Sequence, residues 1–177
     1  MNGSEKRNYS SGRPDKSGRK IIYIMKYLSK SPSQTKKIGQ SLAYNLLKVS
    51  KKKTLIIGLE GDLGGGKTTF LQGFAKGLKI NKKILSPTFV IIKKFSLPKD
   101  KKSGFKYFYH IDCYRIKKPK EILDLGFKKI ISNSENIVAI EWVNQIKKVL
   151  PKDIIYLKFK FIANRIRYIE WRTACYK

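Results

Sequence analysis

Two features of this chain carry residue types that could handle a phosphate. The first is the stretch GDLGGGKTTF, Gly61 to Phe70. Gly61 and Gly66 bracket four residues and are followed by Lys67 and Thr68, the G-x-x-x-x-G-K-[ST] spacing of a phosphate loop. Glycine at 61, 64, 65 and 66 opens backbone angles closed to other residues, so N–H groups along Gly61, Asp62, Leu63, Gly64, Gly65 and Gly66 can converge on phosphate oxygens. A helix starting behind the loop adds its dipole. Lys67 is placed to reach β- and γ-phosphates, the Thr68 hydroxyl to ligate Mg²⁺, and Thr69 to add a hydroxyl near the α-phosphate.

The second feature is a pair of carboxylates. The chain has only 12 acidic residues, and two of them end apolar runs of strand length: YFYHID carries Asp112 and NIVAIE carries Glu141. A carboxylate at the C-terminal end of such a strand lies on the ligand edge of a parallel sheet. Either serves as the Walker B metal ligand, and spacing alone does not choose between them. The bland alternative for each is a helix cap or a solvated strand end. In SPT, Ser86 to Thr88, Pro87 fixes a turn, and Thr88 is either a turn residue or a switch threonine facing the γ-phosphate. His110, the only histidine, reads by default as structural. Trp142 reads as core packing, with stacking on a base or a partner as the alternative.

The elements that must position these residues follow from periodicity. TLIIGLE, 54–60, has strand length and runs straight into Gly61; Phe70, Leu71, Phe74 and Leu78 then recur at helical spacing. Strand, glycine loop and helix is the context the motif requires. Upstream, Ile38, Leu42, Leu46 and Leu47 give a second amphipathic helix with Ser33 as its expected N-cap. FVIIKKF and FKYFYHI, joined by SLPKDKKSG, read as an antiparallel hairpin, and so do DIIYLKFKF and RIRYIEW, joined through Asn164. Residues 1–30 are polar and basic and read as a disordered tail, with Met25 as an alternative start; residues 31–177 read as one domain.

Composition sets the outer limits. Forty Lys and Arg against 12 Asp and Glu give a net charge of +28, which could mark a nucleic-acid partner. However, the cations are 33 Lys and only 7 Arg, and Ile outnumbers Val 23 to 5. A genome rich in A/T codons produces that bias with no partner, and base readout favours Arg. Two cysteines make no disulfide framework, no Cys/His cluster suggests zinc, and no apolar run reaches membrane-spanning length, so a cytoplasmic protein is expected. ATP is the expected nucleotide, since NKKI at 81–84 lacks the Asp of a guanine-reading N-K-x-D and comes too early. A P-loop small-molecule kinase is the alternative, although it would want several arginines around the phosphates and only Arg115 lies near a motif. A basic RNA-binding protein with a vestigial loop is the other.

The order GDLGGGKTTF, SPTF, HIDCYRI, KPKEILDLGF, IEW and LP resembles the TsaE (YjeE) family, small bacterial ATPases needed to make threonylcarbamoyladenosine beside the tRNA anticodon. The resemblance runs from about Ser33 to Trp171. Family members usually have Ala at the place of Gly65, and Lys118 and Lys120 replace acidic residues. The resemblance implies an α/β, P-loop NTPase-like domain with a mixed, mainly parallel sheet flanked by helices. It implies ATP and Mg²⁺ as cofactors, with Thr68 and Glu141 as Mg²⁺ ligands, Asp112 orienting or activating water, and Thr88 as a switch residue. It also places the segment around Ser31 to Thr35, and Arg165 or its neighbours, near the adenine, and links Trp142 to nucleotide or partner contact. The implied partners are a TsaD-like transferase and its TsaB-like companion, with ATP hydrolysis resetting that assembly and tRNA contacted indirectly or weakly.

Overall fold

The computed structural model describes residues 6–7, 20–48, 53–82, 84–87, 89–99 and 103–176. Its centre is one sheet. Strands β1 (Lys6–Arg7), β2 (Lys20–Ser29), β3 (Leu55–Glu60), β4 (Ile92–Ser96), β5 (Tyr107–Asp112), β6 (Asn136–Glu141), β7 (Ile155–Ala163) and β8 (Ile166–Tyr176) lie in the order β1-β2-β8-β7-β3-β6-β5-β4. The central strands β7, β3, β6 and β5 run parallel, while β4–β5, β7–β8 and β2–β8 pair antiparallel. The sheet is therefore mixed, with a parallel centre and the two expected hairpins at its flanks. β3 and β6 read as apolar runs because both their faces are covered, as a parallel centre demands.

Helices α1 (Pro32–Leu47) and α2 (Lys67–Gly77) cover one face. Phe70, Phe74, Phe108 and Phe159 fill that layer, with Phe70 edge-on to Phe159 at 5.5 Å between ring centroids. Short helices α3 (Pro119–Asp124) and α4 (Phe127–Ser132) and a 3-10 segment (Val143–Val149) cover the other face around Ile56, Ile111, Ile140 and Phe127. No helix among the described residues is long and apolar enough to cross a membrane.

Two expectations are corrected. The tail expected to run to residue 30 is not tail at its end, since Lys20–Ser29 form β2, paired along its length with β8 from Lys20↔Tyr176 to Ser29↔Arg167. A strand that alternates Ile24, Lys26 and Leu28 with Met25 and Tyr27 has only a weak apolar signature; its pairing with β8 decides it. The N-cap of α1 is Ser31, not Ser33: Ser31 is extended, its Oγ accepts the Gln34 N–H at 3.1 Å, and Pro32 occupies the first turn, where its fixed φ suits a helix start.

One row of side chains crosses the sheet toward the loop. Lys26, Glu170, Lys158 and Glu60 are successive register partners on β2, β8, β7 and β3, so opposite charges alternate along it. Lys158 approaches Glu60 at 3.6 Å, and Tyr156 donates to the same carboxylate.

α1 and α2 meet through glycine. A Cβ on Gly73 would sit 1.9 Å from the Lys36 carbonyl oxygen, and one on Gly39 would sit 2.3 Å from that of Phe70. The obstacles are backbone atoms of the facing helix, so a methyl group must push the helices apart. Gly73→Ala is expected to cost about 1–3 kcal/mol, as overpacking does. Thermal unfolding should fall by roughly 2–12 °C for a chain of this size, while the exposed Ser41→Ala should leave it within about 2 °C.

Candidate functional site

The loop 61–66 leaves β3 and delivers the chain into α2. Gly61 carries a φ of 141°, and a Cβ there would meet the Phe159 carbonyl oxygen at 2.4 Å, so no other residue fits where the loop turns against β7. The Gly65 N–H donates to the Asp62 carbonyl at 3.0 Å, which closes the turn, and Gly66 precedes α2 in a left-handed conformation. Leu63, at the tip, is exposed.

Lys67 begins α2, and only 5% of its surface is exposed. Its Nζ donates to the carbonyls of Gly61 at 2.6 Å and Asp62 at 2.8 Å and lies 4.1 Å from the centre of the Trp142 ring. Burial lowers the pKa of this ammonium, and the nearby carboxylates of Glu141, Asp112 and Asp62 pull the other way. The cation is thus held in a mostly desolvated place by dipoles, a ring face and three acids, where its attraction for an anion is screened less than on an open surface.

Thr68 follows, and its Oγ1 donates to Glu141, lying 3.1 and 3.0 Å from the two carboxylate oxygens. Glu141 ends β6 and is 3% exposed. Register places it beside Leu59 on β3 and Asp112 on β5, so both strand-end carboxylates sit at the edge from which the loop departs. Asp112 is also 3% exposed. One of its oxygens accepts the Tyr114 N–H at 2.9 Å and the other accepts from the Ser86 hydroxyl. Its backbone N–H goes to Ile91 at 2.9 Å, and the next N–H, of Cys113, goes to the Glu141 carbonyl at 3.0 Å. These bonds fix the orientation of the carboxylate and tie the ends of β5 and β6 together.

Lys67, Thr68, Asp112 and Glu141 therefore meet at one place. Thr88 lies outside the described residues; its neighbour Pro87 is buried, and the Pro87 carbonyl accepts the N–H groups of Val90 and Ile91, so the turn there is real. Arg165 is exposed in the β7–β8 turn with φ 61°. Its neighbour Arg167 makes the contact, donating from Nε to the Gly64 carbonyl at 3.2 Å. The start of α1 comes to the same side: a Cβ on Gly66 would lie 3.7 Å from Arg167 Cγ and 3.9 Å from Thr35 Cγ2. Thr35 is buried, 2.7 Å from the Ser29 hydroxyl.

Trp142 has φ 58°, a left-handed conformation uncommon for a bulky residue. Immediately after Glu141, it turns the chain into the 3-10 segment and presents its ring to Lys67 and, at 5.0 Å, to Tyr114. A cleft of about 480 Å³ opens beside it, lined in part by Gly61, Asp62, Lys158 and Phe161. Cys113, between Asp112 and Tyr114, is buried, and burial pushes its thiol up to about 12, which leaves it a packing residue rather than a nucleophile.

Among the described residues no group of three or more His, Cys, Asp or Glu is placed to hold a metal. The one hydroxyl and one carboxylate that converge at Thr68 and Glu141 suit Mg²⁺, which binds through one or two protein oxygens plus phosphates and water rather than in an all-protein cage. Of Arg165 and its neighbours it is Arg167 that touches the loop, while sequence reasoning gave no role to Ser86 and missed the hydrogen bond of His110 to Glu141 at 2.8 Å. The equal parity of His110 and Asp112 on one strand was the available signal for the last of these.

Comparison with known proteins gives a consistent set of relatives. The family model for threonylcarbamoyl adenosine biosynthesis protein TsaE matches residues 29–172. The chain is 35% identical over 150 residues to the tRNA threonylcarbamoyladenosine biosynthesis protein TsaE of Bacillus subtilis, covering 85% of this chain and 86% of that protein. It is 36% identical over 138 residues to the Rickettsia prowazekii protein of the same name, covering 77% and 87% respectively. The crystal structure of Bacillus subtilis YdiB superposes with a TM-score of 0.67 at 28% identity, over 86% of this chain and 87% of that one.

The loop geometry makes Lys67 the cation on which phosphate affinity depends. Lys67→Ala removes one charge-assisted hydrogen-bond donor from a desolvated site, so ATP affinity measured by calorimetry should fall roughly 10- to 150-fold. Affinity within about twofold of the parent would show that the loop is not where ATP binds.

Proposed function

The chain belongs to the TsaE family, and from that premise we propose that it is a Mg²⁺-dependent ATPase serving threonylcarbamoyladenosine modification of tRNA. The observation that carries the reading is the convergence of Lys67, Thr68, Glu141 and Asp112 at the C-terminal edge of the parallel strands.

In this reading the backbone of Gly61 to Gly66 and the start of α2 bind the phosphates, with Thr69 beside them. Lys67 offers its ammonium to the terminal phosphates in place of the loop carbonyls. Thr68 and Glu141 would hold Mg²⁺, which when bound neutralises charge on the β- and γ-phosphates. Asp112, oriented by Ser86 and the Tyr114 N–H, accepts a proton from the water that attacks, and its fixed carboxylate is already aimed when substrate arrives. The adenine falls on the side of Thr35 and Arg167, where α1 and the β7–β8 hairpin approach Gly66. Thr88 keeps its proposed switch role next to the turn at Pro87.

The protein transfers no threonylcarbamoyl group in this account. Its partners are a TsaD-like transferase and a TsaB-like protein, and hydrolysis resets their assembly. Contact with tRNA is indirect or weak, in keeping with a charge carried by Lys far more than Arg.

The two carboxylates separate the roles. Glu141→Ala should raise the Mg²⁺ concentration needed for half-maximal ATP binding at least about tenfold, because it removes an ion ligand. Asp112→Ala should bind Mg-ATP within about threefold of the parent and lose roughly 10²- to 10⁴-fold in kcat, because its contact matters only in the transition state. The check is ATP titration at several Mg²⁺ concentrations, followed by phosphate release with no acceptor added. If the phenotypes are exchanged, so are the roles; if both variants hydrolyse normally, the site is not catalytic.

A further inference from the structure

His110 is fully buried on β5, two residues before Asp112 and on the same face. Its register partner on β6 is Ala139, so Glu141 is its diagonal neighbour, and the small Ala139 leaves room for the imidazole to cross. Nε2 lies 2.8 Å from Glu141 Oε1, with both side chains removed from water. A carboxylate only accepts, so Nε2 carries the proton in this bond. Nδ1 is buried and has no hydrogen-bond partner among the described residues.

That pattern is poor for a packing residue. Phenylalanine or leucine would fill the volume without burying an unpaired acceptor. What the imidazole supplies is one directed donor to Glu141. Thr68 Oγ1 lies almost equally near both oxygens, 3.1 Å from Oε1 and 3.0 Å from Oε2, so His110 is what distinguishes them, by its bond to Oε1. The histidine pins Oε1 and leaves Oε2 beside the Thr68 hydroxyl at the start of α2.

We propose that His110 is a positioning residue, whose Nε2–H holds the Glu141 carboxylate in the orientation that binds the nucleotide's divalent cation. It acts through Glu141 and touches neither ion nor nucleotide. The inference rests on the reading of Glu141 as the ion ligand. It follows the general behaviour of metal sites, where loss of an outer-shell hydrogen bond costs 10- to 100-fold in metal affinity.

The experiment compares His110→Gln with His110→Met. The two replacements are nearly equal in shape, but only Gln can donate to Glu141. Mn²⁺ is titrated into each protein with ADP and followed by the electron paramagnetic resonance of free Mn²⁺; ADP affinity in EDTA is measured in parallel. The Met variant should bind Mn²⁺ 10- to 100-fold more weakly than the parent, the Gln variant within about threefold, and all three should bind metal-free ADP alike. Parental Mn²⁺ affinity in the Met variant overturns the proposal. So does a Gln variant as weak as Met, or an equal loss of metal-free ADP binding, since either points to shape or packing. If the Met variant does not fold, the Gln variant decides: a tenfold loss there is contrary to the proposal, and retention supports it. A parent protein that takes up no Mn²⁺ with ADP overturns the reading of the Glu141 site itself, and this inference with it.

Discussion

The contact between the Thr68 hydroxyl and the Glu141 carboxylate is the constraint around which the structure is arranged. It joins the first turn of α2 to the end of β6, two places 73 residues apart in the chain. It exists because β3 and β6 pair in parallel with Leu59 opposite Glu141, so the strand that enters the loop and the strand that ends in the acid stop at the same level. A register slip of one residue would turn Glu141 to the other face of the sheet. The apolar layers on both faces, Phe70 and Phe74 on one and Ile140 and Ile146 on the other, are what make such a slip costly. Core packing and site geometry are therefore one problem here, solved by the same strands.

The site is also where the fold departs from comfortable chemistry. A lysine, an aspartate and a glutamate are each no more than 5% exposed, and a histidine is wholly buried. Charges in such a place are tolerated only when each is answered by another charge or a hydrogen bond. Lys67 is answered by two carbonyls and a ring, Asp112 by a hydroxyl and an N–H, and Glu141 by Thr68 and His110. A phosphate approaching Lys67 exchanges one acceptor for another instead of paying the whole desolvation of the ammonium. Trp142, held in a left-handed backbone conformation directly after Glu141, lies over that ammonium and couples the two ends of the arrangement.

Much of this was legible in the chain. The loop, the strand before it and the helix after it were fixed by glycine spacing and apolar period, and the two strand-end acids stood out because acids are scarce. Both hairpins were readable from their alternation. What could not be read depends on contacts between distant segments. β2 looked like a polar tail because its strand character comes from pairing with β8 at the opposite end of the sequence. The choice of Ser31 over Ser33 as helix cap turned on which backbone is extended. Arg167, not Arg165, meets Gly64, and a two-residue turn decided between them. His110 looked structural because the register that sets it diagonal to Glu141 is not written in its own strand.

The most direct measurement is a crystal structure of the protein with Mg²⁺ and a non-hydrolysable ATP analogue. The account predicts that Lys67 Nζ leaves the carbonyls of Gly61 and Asp62 for the terminal phosphates, with the ion between Thr68 and Glu141 and with Asp112 facing the γ-phosphate. An analogue bound elsewhere, with Lys67 still on the loop carbonyls, would contradict it.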